Sequence, residues 1–236
     1  MKIIVSLTSI YDNLASLQVT LQSLLDQSMK PDSIRLYLSE EPYLLDKGFT
    51  EFKIPPWLDE MPIELRWVKN IGPYRKILPI LFKKQKEDVC IITADDDVIY
   101  HPDFVKRLVE TYEKEKCCVA YNCSLFSNDS TYITMKKPEV KSVSNFHKGN
   151  GGVLYHPSFF EGTEIFSDQC LTLCPTNDDI WLNFWRMRKG VPCYWLDEPF
   201  CIKGIVNEKR LWMAYNQETN DDQIKKTHSW IFSSSE

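Results

Sequence analysis

Glycine is scarce in this sequence. Only eight of the 236 residues are glycine, and three of them lie in one cluster, Lys148-Gly149-Asn150-Gly151-Gly152. Because glycine has no side chain, it lets the backbone approach a ligand closely. A plain hairpin turn before the apolar run Val153-Leu154-Tyr155 explains the cluster equally well. The glycines therefore mark a candidate binding turn that needs support from other residues.

Long hydrophobic runs and an excess of positive charge are also missing. No segment approaches the roughly 20 apolar residues of a membrane-spanning helix. Met1-Lys2 leads directly into Ile3-Ile4-Val5, which is too short for the apolar part of an export signal. The net charge of −5 is not that of a general nucleic-acid-binding protein. These absences predict a cytoplasmic protein without a nucleic-acid partner.

The eight cysteines do not form the pattern of a disulfide framework, because most lie in strand-like runs. Without an export signal, we expect reduced thiols. Cys170 and Cys174 are the one close pair outside such runs. No second cysteine pair or histidine lies near them at zinc-ligand spacing, so no structural zinc is predicted.

The first 121 residues alternate predicted strands and helices. Apolar runs predict strands at 2–7, 33–38, 64–68, 89–93 and 117–121. Leucines at helical spacing predict a helix after Asp12, its expected N-cap, and a second apolar face predicts a helix from Pro102. This order predicts a doubly wound, mainly parallel sheet. Since ligands of such sheets bind beyond the carboxyl ends of the strands, the candidate site residues are Thr8, Ser9 and Glu40.

The second half is more polar from residue 122 onwards. Thr131–Met135 has a strand-like composition, and Pro192–Leu196 predicts a last strand. The tail from Lys203 to Glu236 is polar, with Trp212 and Trp230 interspersed.

Three adjacent aspartates, Asp95, Asp96 and Asp97, follow the buried run that begins at Val89. Adjacent carboxylates at the end of a buried strand repel one another and lose hydration unless a cation is present. Mg²⁺ or Mn²⁺, with a phosphate completing its oxygen ligands, is the cation that this pattern favours. The alternative is a solvated acidic turn, and the flanking strand favours the site.

The segment Gly72-Pro73-Tyr74-Arg75-Lys76 opens the next predicted helix. A Gly-Pro turn at a helix N-terminus suits an anion, and Lys76 would add a full positive charge for a phosphate. An ordinary surface lysine is an equally good interpretation of Lys76.

A pair of acids, Asp178 and Asp179, opens a helix after Asn177. Asn177 can cap this helix, and the two carboxylates complement its dipole. Capping accounts for one acidic residue, whereas two carboxylates beside Trp181 also suit a general base. Late in the tail, His228 is either a surface histidine or a metal ligand.

Taken in order, these segments resemble the GT-A glycosyltransferases, in particular small bacterial transferases related to family 2 from capsule and lipopolysaccharide synthesis. The resemblance covers nearly the whole chain and rests on six segments: Val5–Ser9, Lys30–Ile34, Gly72–Lys76, Asp95–Tyr100, Gly151–Tyr155 and Asp178–Trp181. It implies a GT-A (Rossmann-like) α/β fold, with a mixed, mainly parallel sheet flanked by helices and a smaller acceptor-side region. Residues 1–121 would form the nucleotide-sugar-binding half. Residues 122–236 would form the acceptor-side half and C-terminal tail of the same single domain.

The resemblance also implies a metal-dependent transfer from a nucleotide sugar, with a UDP-sugar expected. Asp95 and Asp97 would be the ends of a D-x-D motif. Asp97 would hold the Mn²⁺ or Mg²⁺ that bridges the donor diphosphate, while Asp95 and Asp96 would face the donor. The nucleobase would meet Thr8 and Ser9, with Glu40 nearby and Lys76 toward the nucleotide.

On the acceptor side, the resemblance makes Asp179, with Asp178 beside it, the base that deprotonates an acceptor hydroxyl and inverts the anomeric carbon. Gly151 and Gly152 would lie against the donor or acceptor sugar, and His228 would complete the metal site. One departure concerns Asn13, which stands where comparable sequences often carry arginine. A charged contact from that loop to the nucleotide is therefore not expected.

The implied acceptor is a glycan or a lipid-linked glycan. For a lipid-linked acceptor, the tail residues Lys225, Lys226, Trp230 and Ile231 would touch the inner face of a bacterial membrane. Two other functions fit the acids. A nucleotidyltransferase that makes nucleotide sugars would carry a glycine- and lysine- or arginine-rich loop after the first strand, which Thr8–Asp12 lacks. A non-catalytic carbohydrate-binding protein using Ca²⁺ would need no acid pair after the glycine cluster.

Overall fold

An eight-stranded mixed sheet forms the centre of the protein. The structure, a computed structural model, describes residues 1–49, 53–129, 131–206 and 210–233. The strands are β1 (Lys2–Thr8), β2 (Ser33–Leu38), β3 (Glu64–Trp67), β4 (Val89–Thr93), β5 (Val98–Tyr100), β6 (Cys118–Ala120), β7 (Cys123–Leu125), β8 (Lys141–Ser142), β9 (Asn145–His147), β10 (Val153–Tyr155), β11 (Cys193–Trp195) and β12 (Cys201–Gly204). The helices are α1 (Leu14–Leu25), α2 (Pro56–Glu60), α3 (Leu78–Lys84), α4 (Phe104–Glu115), α5 (Gln169–Leu173), α6 (Asp178–Arg188) and α7 (Gln217–Ser233).

The sheet has the order β3-β2-β1-β4-β10-β6-β11-β8. β1 is parallel to β2 and β4, β2 is parallel to β3, and β6 is parallel to β11. β10 runs antiparallel between β4 and β6. Outside this sheet, β5 pairs with β12 and β7 with β9. The mixed, mainly parallel sheet is thus the one expected, and it joins strands from both halves of the chain.

The two central strands, β1 and β4, are apolar and buried along almost their whole length. Helices cover both faces of such a sheet, which explains their continuous apolar runs. Val5 of β1 lies opposite Ile34 of β2 and Ile92 of β4. This parallel register brings the carboxyl ends of β1 and β4 to the same edge of the sheet, where Thr8 and Asp95 follow.

Two local predictions were wrong: Asp12 does not cap α1, and Thr131–Met135 is not a strand. In both places a polar side chain interacts with a different partner. Helix α1 begins at Leu14 with Asn13 at the N-cap position, and Asp12 lies in a preceding 3-10 turn. The Asp12 carboxylate is 3.8 Å from the ammonium of Lys47. The predicted strand at Thr131 is a turn, because the backbone N–H of Thr131 donates to the Thr134 hydroxyl at 2.9 Å.

The described parts of the tail, 203–206 and 210–233, contain more regular structure than their polar composition indicates. A π-helical turn at Trp212–Asn216 leads into α7, which packs against α6. Ile231 is fully buried, and the ring of Trp230 stacks on Trp181 with 5.6 Å between centroids. Ile231 therefore belongs to the interior, which corrects the expectation that it touches a membrane, and Trp230 is partly buried against the same core. Among the described residues, no helix is both long enough and apolar enough to cross a bilayer.

All eight cysteines are free thiols, in agreement with the prediction of reduced cysteines. Seven of them are buried, and Cys201 is partly exposed. They serve as small apolar residues of the core.

Candidate active site

A cleft of about 680 Å³ opens at the sheet edge where β1 and β4 end. It brings together most of the residues that the sequence singled out, although they are up to 171 positions apart between Thr8 and Asp179. The predicted residues that line it are Thr8, Ser9, Lys76, Asp95, Asp96, Asp97, Asp178 and Asp179.

Lys76 links the aspartate triplet to the acid pair. Its ammonium lies 3.0 Å from Oδ1 of Asp95 and 3.6 Å from Oδ2 of Asp178, and its side chain is only 10% exposed. Burial lowers the pKa of Lys76, but the charges of Asp178 and Asp95 outweigh this effect and raise it well above its usual value. Lys76 is therefore a fixed positive charge in the middle of the cleft, and it is not an ordinary surface lysine.

Asp96 faces the loop after β1. Its carboxylate accepts hydrogen bonds from the Ser9 hydroxyl and, at 3.2 Å, from the Asn13 amide. Burial raises the pKa of Asp96 to about 7, although the bond from Ser9 opposes this rise. Asn13 thus helps to hold Asp96 in place, at the position where comparable sequences often carry arginine.

Asp97 faces the other side of the cleft, where its carboxylate lies 3.0 Å from the guanidinium of Arg210. Burial and then the charge of Asp95 raise the pKa of Asp97, while Arg210 lowers it. The three adjacent carboxylates therefore have three different partners, and electrostatic repulsion within the triplet is only partly relieved.

Asp179 lies at the start of α6, with its backbone N–H bonded to the side chain of Asn177 at 3.1 Å. Its Oδ2 accepts a hydrogen bond from the backbone N–H of Gly149 at 2.8 Å. Burial, followed by the charge of Asp178, raises the pKa of Asp179 to about 7, while Lys76 lowers it. A carboxylate with this pKa can accept a proton near neutral pH.

A buried imidazole stands behind Asp179. Nδ1 of His147 is 3.8 Å from Oδ1 of Asp179, and burial lowers the pKa of His147 to about 3. The amide of Asn183 donates to the backbone carbonyls of both His147 and Asp179 at 2.9 and 2.8 Å. Asn183 therefore ties the backbone of His147 to that of Asp179, and the neutral His147 lies beside the carboxylate without adding charge.

The glycine cluster contributes different residues from those expected. Gly149 and Asn150 line the cleft, while Gly151 and Gly152 are buried behind it. A Cβ on Gly149 would lie 2.8 Å from Oδ1 of Asp179, so glycine is required for this close approach. Within the cluster, the cleft is therefore lined by Gly149 and Asn150, and Gly151 and Gly152 do not line it.

Glu40 and His228 do not line the cleft. The Glu40 side chain is exposed at the end of β2. His228 lines a separate small pocket and packs in an aromatic cluster, with its ring centroid 5.2 Å from that of Phe184 and 4.7 Å from that of Phe232. The structure thus does not bring His228 to Asp97, which corrects its expected place in the metal site.

Several cleft residues escaped the sequence analysis. Arg75 is buried, pairs with Asp46 at 2.8 Å and donates to the carbonyl of Ser9 at 3.4 Å. An isolated arginine next to a lysine forms no recognisable motif, so the sequence does not single out Arg75 beside Lys76. Arg210, Tyr132 and Trp212 come from the polar segments, where no pattern of the sequence marks them.

Mg²⁺ or Mn²⁺ would find suitable oxygen atoms here, but not a complete set. No group of three or more His, Cys, Asp or Glu side chains is arranged to hold a metal ion in the described parts of the chain. Asp95 and Asp97 are the right chemical type, and their mutual repulsion raises the pKa of Asp97. The two carboxylates are therefore candidate oxygen ligands that do not by themselves complete a metal site.

Solved structures share this fold at low sequence identity. The crystal structure of S. aureus TarS 1–349 in complex with UDP-GlcNAc has a TM-score of 0.58 and 12% identity, and the match covers 91% of this chain and 62% of that one. The TarS 1–349 complex with UDP has a TM-score of 0.54 and 10% identity, and the match covers 85% of this chain and 59% of that one. A 4-diphosphocytidyl-2C-methyl-D-erythritol synthase from Anaerococcus prevotii has a TM-score of 0.57 and 12% identity. This match covers 92% of this chain and 96% of that one.

This chain spans about three fifths of the TarS 1–349 structures. No protein-family model and no curated protein matches it. At identities of 10–12%, the likeness concerns the fold. The chain therefore has the α/β fold of GT-A type that its sequence predicted.

Proposed function

We propose that this protein is a glycosyltransferase that moves a sugar from a nucleotide donor, expected to be a UDP-sugar, to a hydroxyl of a glycan or lipid-linked acceptor. The observation that carries the proposal is the meeting of the Asp95–Asp97 triplet, Lys76 and Asp179 in one cleft. The complexes of TarS with UDP-GlcNAc and UDP support it, since they have the same fold. Synthesis of a bacterial surface polysaccharide is the proposed setting.

The donor would bind along the side of the cleft formed by β1 and the triplet. The nucleotide would lie near Ser9 and Arg75, and the diphosphate would reach Lys76 and Arg210, two of the positively charged residues that line the cleft. These cations already face carboxylates, so a diphosphate would share them with Asp95 and Asp97. The charge that develops on the leaving diphosphate would be stabilised by these positioned cations.

Asp97 and Asp95 would also hold Mg²⁺ or Mn²⁺, which when bound neutralises charge on the diphosphate. For this, Asp97 would exchange its contact with Arg210 for one with the ion. Arg210 would then be released toward the diphosphate.

Asp179 would take the proton from the acceptor hydroxyl as this oxygen attacks the anomeric carbon. The attack comes from the face opposite the leaving group, so the configuration inverts. The N–H of Gly149 keeps the carboxylate in place, and the charge of Lys76 keeps part of it ionised near neutral pH. General-base catalysis of this kind accelerates a reaction by about 10²–10⁴-fold.

A nucleotidyltransferase is the second candidate, because the erythritol synthase matches this fold over 96% of its own length. Such an enzyme would release pyrophosphate from a nucleoside triphosphate and a sugar phosphate. The loop after β1 offers no basic residue between Thr8 and Asn13 for a triphosphate. Measuring pyrophosphate release with UTP, in parallel with UDP release from UDP-sugars, separates the two functions.

Nucleotide binding should stabilise the fold. With UDP at 100 times its Kd, we expect the free energy of unfolding to rise by about 2.7 kcal/mol. Mn²⁺ should enlarge the shift in Tm by UDP in the wild type, and Asp97→Asn should lose this enlargement while it keeps a shift with UDP alone. Thermal denaturation with UDP, Mn²⁺ and both measures this. As a control, Asp222→Asn alters an exposed acid on α7 and should behave as wild type. A wild type that UDP does not stabilise would contradict the proposal.

Transfer should depend on pH through Asp179. Because its pKa is raised to about 7 and a base must be deprotonated, log(kcat/KM) should rise with unit slope below about pH 7 and then level off. Lys76→Met removes a charge that lowers this pKa, so the rise should move to higher pH. Initial rates across the pH range measure both effects.

The matched control is Lys226→Met, an exposed lysine that pairs with Asp222 on α7. It should leave the profile unchanged. A flat wild-type profile from about pH 5 to 8, or an unshifted rise in Lys76→Met, would show that Asp179 does not act as the titrating base.

A further inference from the structure

An aromatic wall, formed by Tyr132 and Trp212, lines the cleft but has no part in the proposed donor site. The two rings come from distant segments and pack with 5.6 Å between their centroids. Tyr132 is buried beneath, whereas Trp212 is 38% exposed. The next residue, Met213, also lines the cleft and is 67% exposed.

The aromatic wall lies beside Asp179. The ammonium of Lys148 stands 4.8 Å from the ring centre of Tyr132, and the next residue, Gly149, donates its N–H to Asp179. After burial, the charge of Asp179 is the second cause that raises the pKa of Tyr132, as expected for close neighbours. A group that rests on the wall is therefore within reach of the proposed base.

Hydrogen bonds hold the wall rigidly. The backbone N–H of Tyr132 donates to Oδ1 of Asp221 on α7 at 2.7 Å. Trp212 opens the π-helical turn whose last residue, Asn216, donates its amide to the carbonyl of Thr176 at 3.2 Å. Thr176 precedes the acid pair by two residues. Such π-helical turns occur frequently at functional sites.

Asn216 adds an unused polar atom to this surface. The residue lines the cleft and is only 8% exposed. Its Oδ1 is buried and accepts no hydrogen bond from the described residues. Buried carbonyl oxygens usually have a donor, so Asn216 brings an acceptor with unused capacity to the cleft wall.

An exposed tryptophan face together with an unsatisfied acceptor suits a sugar ring. The C–H face of a pyranose packs against an aromatic ring, while its hydroxyls donate to buried oxygens. We infer that the aromatic wall, with Asn216, is the subsite that binds the pyranose ring of the acceptor and presents its hydroxyl to Asp179. This inference rests on the proposed function, and it assigns the acceptor's binding surface within that cleft.

Trp212→Ala tests the inference by kinetics. With a UDP-sugar and a panel of methyl pyranosides as acceptors, KM for the acceptor should rise about tenfold or more, and Trp212→Phe should regain most of the loss. Hydrolysis of the donor without acceptor and the Tm shift with UDP should not change, because the wall does not touch the donor. Phe82→Ala, which alters another exposed aromatic residue outside the cleft, should match the wild type in every measurement.

Saturation-transfer NMR with the methyl pyranosides in the presence of UDP tests the same surface without turnover. Binding to the wild type that is lost in Trp212→Ala supports the subsite even if no transfer occurs, in which case the proposed function alone fails. An unchanged acceptor KM in Trp212→Ala, or no pyranoside bound to the wild type, overturns the inference. A lost UDP shift would instead assign the wall to the nucleobase and overturn it as well.

Discussion

Replacing Asp179 by asparagine should lower kcat for transfer by about 10²–10⁴-fold while the Kd for UDP stays unchanged. The side chains have the same shape, and an asparagine oxygen can still accept the hydrogen bond from Gly149. The substitution removes the ability to take a proton, because an amide is not a base at neutral pH. Initial rates with saturating donor and acceptor measure the loss, and calorimetric titration with UDP measures donor binding.

Two controls make this result specific. Asp222→Asn removes an exposed carboxylate from α7 and should leave kcat unchanged. Asp178→Asn removes the carboxylate that pairs with Lys76, and it should lower the pKa of Asp179 because the charge of Asp178 helps to raise it. The pH at which the rate levels off should therefore fall in this variant. Full transfer by Asp179→Asn would rule out Asp179 as the base and assign the step to another group.

The alternation of strands and helices in the first half and the mainly parallel sheet were predictable from sequence, because β1 and β4 are buried on both faces. Such strands are continuous apolar runs, and their ends are marked by polar residues such as Thr8 and Asp95. Helix α7 was not predictable in the same way. Its buried side contains Asn220, Gln223 and Thr227 beside two isoleucines, so hydrophobic periodicity hardly appears. These polar side chains are buried because they bond to the segment before α6, as Gln223 does to Thr176.

In the candidate site, too, some residues were predictable from sequence and others were not. Adjacent carboxylates in Asp95–Asp97 and in the acid pair are visible in sequence because such clusters are costly without a cation. Their partners are not visible. Arg210 reaches Asp97 from a polar segment more than 100 positions away, and nothing in its neighbours indicates this. The structure brings the acids of both clusters to one cleft, whereas it places His228 in the aromatic packing around Phe184, outside that cleft.

Ion pairs balance part of the negative charge that the cleft gathers. Lys76 shares its charge between Asp95 and Asp178, and Arg210 serves Asp97. Burial, with a further contribution from the charges of neighbouring aspartates, raises the pKa values of Asp96 and Asp179 to about 7. A cleft with carboxylates held near their titration point is the arrangement expected of a binding or catalytic site.

Gly152→Ala should destabilise the protein by about 3–4 kcal/mol without lowering the activity of the molecules that remain folded. Gly152 has a φ of +87°, a conformation that favours glycine, and an added Cβ would lie 2.5 Å from two ring carbons of Phe104. Phe104 is fully buried and packs on Tyr100 with 4.2 Å between centroids, so it cannot move aside cheaply. Urea denaturation with an unchanged m-value measures the loss.

Gly162→Ala is the matched control, since Gly162 has a φ of +70° and an added Cβ would meet nothing within 4 Å. It carries the cost of the backbone conformation alone, about 1–2 kcal/mol, so the difference between the two variants isolates the contact with Phe104. Phe104→Leu should make room for the new methyl group, and the double variant should show a coupling free energy above about 1 kcal/mol. Equal losses in both alanine variants would contradict the packing role. A Gly152→Ala protein that is stable but inactive would return Gly152 to the ligand contact that its sequence first suggested.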